Sequence, residues 1–146
     1  MAVQRMDNVG IVVQDLPRMV AFFTELGLVN EGGGHVEGPW MDGCIDIDDA
    51  ACEIAMLRTP DGHSRLELSC FQRPETPGEP EERPVNTYGY LRVMFAVDDL
   101  DDTLARLRPY GCEVLREVVQ YEDVYRLCYV RGPEGILLGL AQELRS

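Results

Sequence analysis

Two short segments of the chain are near copies, and each opens on a polar residue followed by an apolar run. Asn8-Val-Gly-Ile-Val-Val-Gln-Asp-Leu16 returns as Arg92-Val-Met-Phe-Ala-Val-Asp-Asp-Leu100. A duplicated unit builds a pseudo-symmetric pocket between its copies, so the paired positions Asn8 and Arg92 are where chemistry is expected. Asn8 offers an amide that donates and accepts; Arg92 offers a permanent cation with a planar fork of donors. The rest of the reactive inventory is thin. Cys44, Cys52, Cys70, Cys112 and Cys128 are odd in number and lack CxxC or zinc-finger spacing, so they read as reduced, mostly buried small hydrophobes. His35 follows three glycines and His63 sits in a Pro-Asp-Gly-His turn; both read as solvated loop residues, of little use to a nucleophilic thiol. All 13 basic residues are arginine, which excludes a Schiff-base lysine.

Trp40, Met94, Tyr121, Tyr125 and Arg126 are further candidates for a ligand pocket, because aromatic and thioether walls suit a flat or mixed ligand. The net charge of −13 repels phosphate backbones and anionic membranes, and no basic patch interrupts it. Nucleic acid and membrane are therefore excluded as partners, and a small molecule is expected. No apolar run reaches the roughly 18 residues of a membrane span. Gln4, Arg5, Asp7 and Asn8 interrupt any signal-peptide pattern, so a cytoplasmic location is expected.

These candidates must be held by a small set of elements. The pattern predicts a strand over residues 6–13, then a helix capped by Asp15 with Pro17 in its first turn and Met19, Val20, Phe22, Phe23 and Leu26 as its apolar stripe, ending at Gly27. The Gly32-Gly33-Gly34 run and the segment around Trp40 read as an irregular strand or mobile loop forming a pocket wall. A hairpin follows, with strands over 52–58 and 65–71. Residues 74–87, rich in Pro, Glu and Gly, have the composition of an exposed linker. The second copy holds a strand over 91–97 and a helix capped near Asp98 or Asp99 with Leu100, Leu104 and Leu107 buried. Strands over 113–119, 125–130 and 136–140 complete it. The fold class is α+β. One domain over 1–146 comprises two tandem βαβββ modules, 1–73 and 88–146, predicted to form an eight-stranded, partly open barrel around a central cleft.

This arrangement resembles the vicinal oxygen chelate superfamily, which holds glyoxalases, epimerases, extradiol dioxygenases, fosfomycin-modifying enzymes and bleomycin-resistance proteins. The segments that carry the resemblance are Asp7 to Leu16, Arg65-Leu-Glu-Leu68, Phe95 to Asp102 and Gly132 to Leu140. It implies a divalent metal held by a His on the first strand and a Glu on the last strand of each copy, polarising substrate oxygens. Carried onto this chain, those positions are Asn8, Glu67, Arg92 and Gly139, so only the glutamate at 67 is retained. The usual metal centre is therefore expected to be absent, and no cofactor is expected. His35, His63 and Glu53 are the substitute ligands for a displaced metal, and their loop or outward placement weighs against them. For Glu67, whose neighbours Leu66 and Leu68 bury the opposite face, pocket and solvated positions both stand open.

Two functions follow from the resemblance. The first is a metal-free binder of a small molecule, with Glu67 and Arg92 fixing a polar ligand and Asn8 supplying a hydrogen bond. The second is an enzyme of the lactoylglutathione lyase, epimerase or dioxygenase kind, using Glu67 in a non-standard metal site or a Glu67 base with an Arg92 oxyanion stabiliser. A third reading is a non-catalytic interaction module, and a homodimer is expected from the resemblance.

Overall fold

The computed structural model describes residues 2–144. The chain divides into two compact units, Met1–Glu79 and Pro80–Ser146, with the boundary inside the 74–87 stretch. The fold is α+β, and each unit is a mixed sheet with a helix on one face.

The first unit runs β1 (Val9–Val12), α1 (Leu16–Leu26), β2 (Val29–Glu37), α2 (Pro39–Ile45), β3 (Ala51–Arg58) and β4 (Arg65–Arg73). Its sheet order is β1-β4-β3-β2, with β1 parallel to β4 and the other pairs antiparallel. Asp15 caps α1 by accepting from the Arg18 amide, and Gly27, at φ 125°, closes it through bonds to the Phe23 and Thr24 carbonyls. The register pairs Leu57 with Leu66 and Ala55 with Leu68, which puts these side chains on one sheet face. That face and the Met19, Phe22, Phe23 and Leu26 stripe of α1 are buried together, forming the core of the unit.

The second unit repeats the plan: β5 (Val93–Ala96), α3 (Leu100–Leu107), β6 (Glu113–Val114), β7 (Val119–Tyr121), β8 (Tyr125–Arg131) and β9 (Leu137–Glu143). Its sheet order is β5-β9-β8-β6, with β7 also paired to β8 and β5 parallel to β9. Asp99 caps α3 by accepting from the Asp102 amide. The buried residues of α3 are Leu100, Thr103 and Leu107; Leu104 is only half-buried, because the eight-residue helix presents a narrow stripe.

Three expectations are corrected. The segment around Trp40 is no loop: Pro39–Ile45 forms α2, with Pro39 in the first turn where its missing N–H costs nothing. His35 is no loop residue: the Gly32–Gly34 run takes the irregular-strand form, as part of the nine-residue β2 paired with β3 apart from one bulge, and His35 follows it within that strand. The strand expected over 113–119 is two strands, since the register against β8 shifts between Val114–Val130 and Val119–Leu127; the described residues thus hold nine strands rather than eight. Within the second unit, residues 81–90 are tied to β8 and the turn after it. Tyr90 donates through its hydroxyl to the Gly135 carbonyl at 3.0 Å, and Arg131 donates to the Tyr90 hydroxyl at 2.7 Å and to the Arg83 carbonyl.

Candidate functional site

Each sheet has one face covered by its long helix and one that is open, and strand parity decides which candidates reach the open face. In the first unit Glu67 pairs with Gly10 on one side and Met56 on the other, opposite in direction to the buried Leu66 and Leu68. Gly10 has no side chain, which leaves space beside the half-buried Glu67 carboxylate. Within its unit Glu67 makes no hydrogen bond or ion pair among the described residues. Asn8, just before β1, shares the parity of Gly10 and donates to the Asp7 carboxylate at 3.3 Å. Burial pushes the Cys52 thiol up, and the Glu67 charge adds to the shift.

The far end of this open face is closed by α2. Met41 is buried with Ala50 and Cys52 and packed by Val36, Ile47 and Phe71, while the Asp42 carboxylate accepts from the Asp49 and Ala50 amides at 2.9 and 3.0 Å. Trp40 lies on the same helix but is 69% exposed. The wall expected of Trp40 is thus built by its neighbour Met41.

In the second unit Arg92 directly precedes β5, and its guanidinium carbon lies 5.0 Å from the centre of the Tyr129 ring. Tyr129 and Met94 are the two register partners of Gly139. A Cβ on Gly139 would stand 2.6 Å from the Met94 methyl carbon and 3.3 Å from its Cβ and Cγ, so the glycine is what lets Met94 lie across β9. Farther along β8 on the same face, Tyr125 pairs in register with Tyr121, their rings stacked at 5.7 Å between centres and 27° between planes.

Arg126 is not part of this group. It follows Tyr125 on β8 and therefore points to the helix-covered face, where its guanidinium holds both carboxylate oxygens of Asp101 at 3.1 and 3.2 Å. The guanidinium in turn holds the Asp101 carboxyl below the usual range. Tyr129, which no motif marked, takes the place expected of Arg126. Its signal was parity: Tyr125, Leu127 and Tyr129 alternate along one strand.

The residues at the four expected ligand positions do not fit a divalent metal. An amide oxygen is a weak neutral donor, a guanidinium brings its own positive charge, and Gly139 has no side chain and no room for one beneath Met94. His35 places its two ring nitrogens against different carboxylates, Glu53 at 3.0 Å and Glu37 at 3.3 Å, which is an ion-pair arrangement and not a convergent one. His63 lies in the β3–β4 turn. Among the described residues, no helix is long and apolar enough to cross a membrane.

Residues 5–140 match the sequence profile of the Glyoxalase/Bleomycin resistance protein/Dioxygenase superfamily. Among solved structures, a glyoxalase family protein from Bacillus cereus is 53% identical, with a TM-score of 0.94 over 99% of each chain. TnmS3, an antibiotic-binding protein from Streptomyces sp. CB03234, is 19% identical with a TM-score of 0.63 over 98% of each chain. The fosfomycin resistance protein FosX from Listeria monocytogenes is 13% identical with a TM-score of 0.60, over 96% of this chain and 91% of that one. At such identities the last two share the fold alone. No curated protein matches the chain in sequence.

Proposed function

The chain belongs to the Glyoxalase/Bleomycin resistance protein/Dioxygenase superfamily, and on that premise we propose that it binds a small organic molecule on its open sheet faces without the family's customary divalent metal. The observation that carries this reading is the side-chain set at positions 8, 67, 92 and 139, where Met94 covers the glycine that stands in place of a ligand. On the first unit's face Glu67 is the charged group offered to a ligand and Asn8 a further contact; on the second unit's face Arg92 is the charged group and Met94, Tyr121 and Tyr125 are the further contacts. TnmS3 and FosX carry antibiotic-related names on the same fold, which supports a small-molecule ligand here in a general way. Free cysteines among the described residues agree with a reducing, cytoplasmic setting, and a homodimer is part of the proposal.

Metal analysis of the purified protein, with a thermal-shift screen against compound classes, tests the proposal. The expected result is substoichiometric Ni, Zn, Fe and Mn together with stabilisation by one ligand class. Ligand at about 100 times its Kd adds roughly 2.7 kcal/mol. Stoichiometric, tightly held metal would overturn the metal-free reading, and silence from every class would overturn ligand binding.

A second reading is supported by the Glu67 carboxylate, which has no partner within its unit among the described residues. As a general base acting on a ligand held at its own sheet face, it would make the protein a metal-free isomerase or lyase. Turnover of a bound ligand, abolished by Glu67→Gln with binding retained, separates this enzyme from the binder.

A further inference from the structure

The open face of the second unit joins a cation, an apolar lane and an aromatic shelf in one line. We infer that it binds an elongated organic acid, with the carboxylate on Arg92 and an apolar body laid along β8 to the Tyr121–Tyr125 pair. This rests on the small-molecule reading above and names its ligand class.

The head group follows from charge. Acids outnumber bases 26 to 13 in the sequence, yet Arg92 makes no ion pair among the described residues, and its recorded partner is the Tyr129 ring. A guanidinium stacked on a ring is fixed in place while its N–H edge stays available, the arrangement that receives a planar carboxylate through two parallel bonds. The acids that share this face stand at its ends, Glu113 in register with Arg131 and Glu143 in register with Tyr125. Between them this face carries no further acid among the described residues.

The body follows from shape. Met94, next after Arg92 on this face, lies across its register partner Gly139; beyond it the register places Ala141, with Leu127 on the neighbouring strand, so the floor of the lane is low toward the tyrosines. Met94, 48% exposed, flanks it with a flexible thioether. Tyr125 and Tyr129 are four residues apart on one strand, roughly 13 Å. A ligand spanning from Arg92 to the stacked tyrosines therefore needs the length of about two aromatic rings. Tyr121 and Tyr125 are 55% and 36% exposed, which leaves ring surface for that end of the ligand. Arg92 draws the carboxylate to its own end, and Glu143 at the tyrosine end disfavours an anion there.

Titration calorimetry on the full chain with biphenyl-4-carboxylate, its neutral amide, the cationic biphenyl-4-methylamine and the one-ring benzoate tests the assignment. The acid is expected to bind at least about tenfold tighter than the amide, as charge-assisted bonds imply. The preference should vanish in Arg92→Gln, persist in part in Arg92→Lys, and Tyr125→Ala should weaken the two-ring acid more than benzoate. Circular dichroism confirms that each variant is folded. Equal binding of acid and amide, tighter binding of the amine, an acid preference that survives Arg92→Gln, or no binding of the acid at millimolar concentration would each overturn the inference. Thermal stabilisation by neutral or cationic compounds alone leaves small-molecule binding standing and removes only the acid; no response to any class removes both.

Discussion

Met94 lies across Gly139 so closely that a Cβ on the glycine would meet the methionine methyl carbon at 2.6 Å. The two residues sit on neighbouring parallel strands, β5 and β9, and are direct register partners. The position where the superfamily resemblance implies a metal-binding carboxylate is thus filled by an apolar side chain from the adjacent strand.

This contact predicts a coupled pair of substitutions. Gly139→Ala forces Met94 to swing away and should cost about 1 kcal/mol, at the low end of overpacking because the nearest atom is the far end of a flexible chain. In a Met94→Ala background the same change should cost markedly less. A urea double-mutant cycle reads the difference. Additive costs would show that Gly139 is not kept small by Met94.

The ring of Tyr90 should act as the anchor of residues 81–90. Its hydroxyl bonds to the Gly135 carbonyl and receives a bond from Arg131, so Tyr90→Phe removes both and should cost about 1–2 kcal/mol. Gly135→Ala should do worse: φ at 135 is 74°, and a Cβ would stand 2.7 Å from the Glu81 carbonyl oxygen. Faster amide hydrogen exchange over residues 81–90 in both variants is the signature, and unchanged exchange would show that this segment is held by something else.

Arg126 and Arg92 should separate cleanly in binding. Arg126 is committed to Asp101 on the helix-covered face, so Arg126→Gln should leave ligand affinity within about twofold, while Arg92→Gln should lower it about tenfold or more. Calorimetry with one ligand and both variants measures this. A loss at Arg126 equal to that at Arg92 would place the binding surface on the wrong side of β8.

These contrasts show what the amino-acid pattern could and could not convey. The repeat of residues 8–16 at 92–100 was legible because apolar alternation, an acidic cap and a helix stripe are local signals, and Asp15 and Asp99 cap their helices as expected. α2 was missed because seven residues containing Gly43 and preceded by Gly38, with no side-chain cap, carry a weak helix signal; its stability comes from Met41 entering a cluster assembled by distant strands. The placement of Arg126 was hidden for another reason. Tyr125 and Arg126 are adjacent on a strand and so face opposite ways, a constraint that applies only once β8 is known to start at Tyr125. The 81–90 segment has the composition of a linker, and its docking rests on Tyr90 and Arg131, 41 residues apart.

His35 predicts a pH dependence of stability. Its Nδ1 faces Glu53 at 3.0 Å and its Nε2 faces Glu37 at 3.3 Å, while Gln72 also donates to Glu53, and Arg73 binds Glu37 and reaches Asp49 at 3.3 Å. The hydrogen bond to Glu53, then that to Glu37, raises the imidazole above its ordinary 6.5. Folding therefore favours the protonated ring: its contribution is fully present below about pH 6.5 and is lost as pH rises through the raised value. Glu37 behaves oppositely. Arg73, then His35, holds its carboxyl below the ordinary 4.5, so its contribution is present above that value and lost as pH falls through the lowered one. The urea midpoint advantage of wild type over His35→Gln should thus be largest near pH 6 and shrink by pH 9, and the His35 ring protons should titrate above 6.5. An advantage that grows with pH would mean that the ring is held neutral, and would reverse the assignment of both carboxylates as its partners.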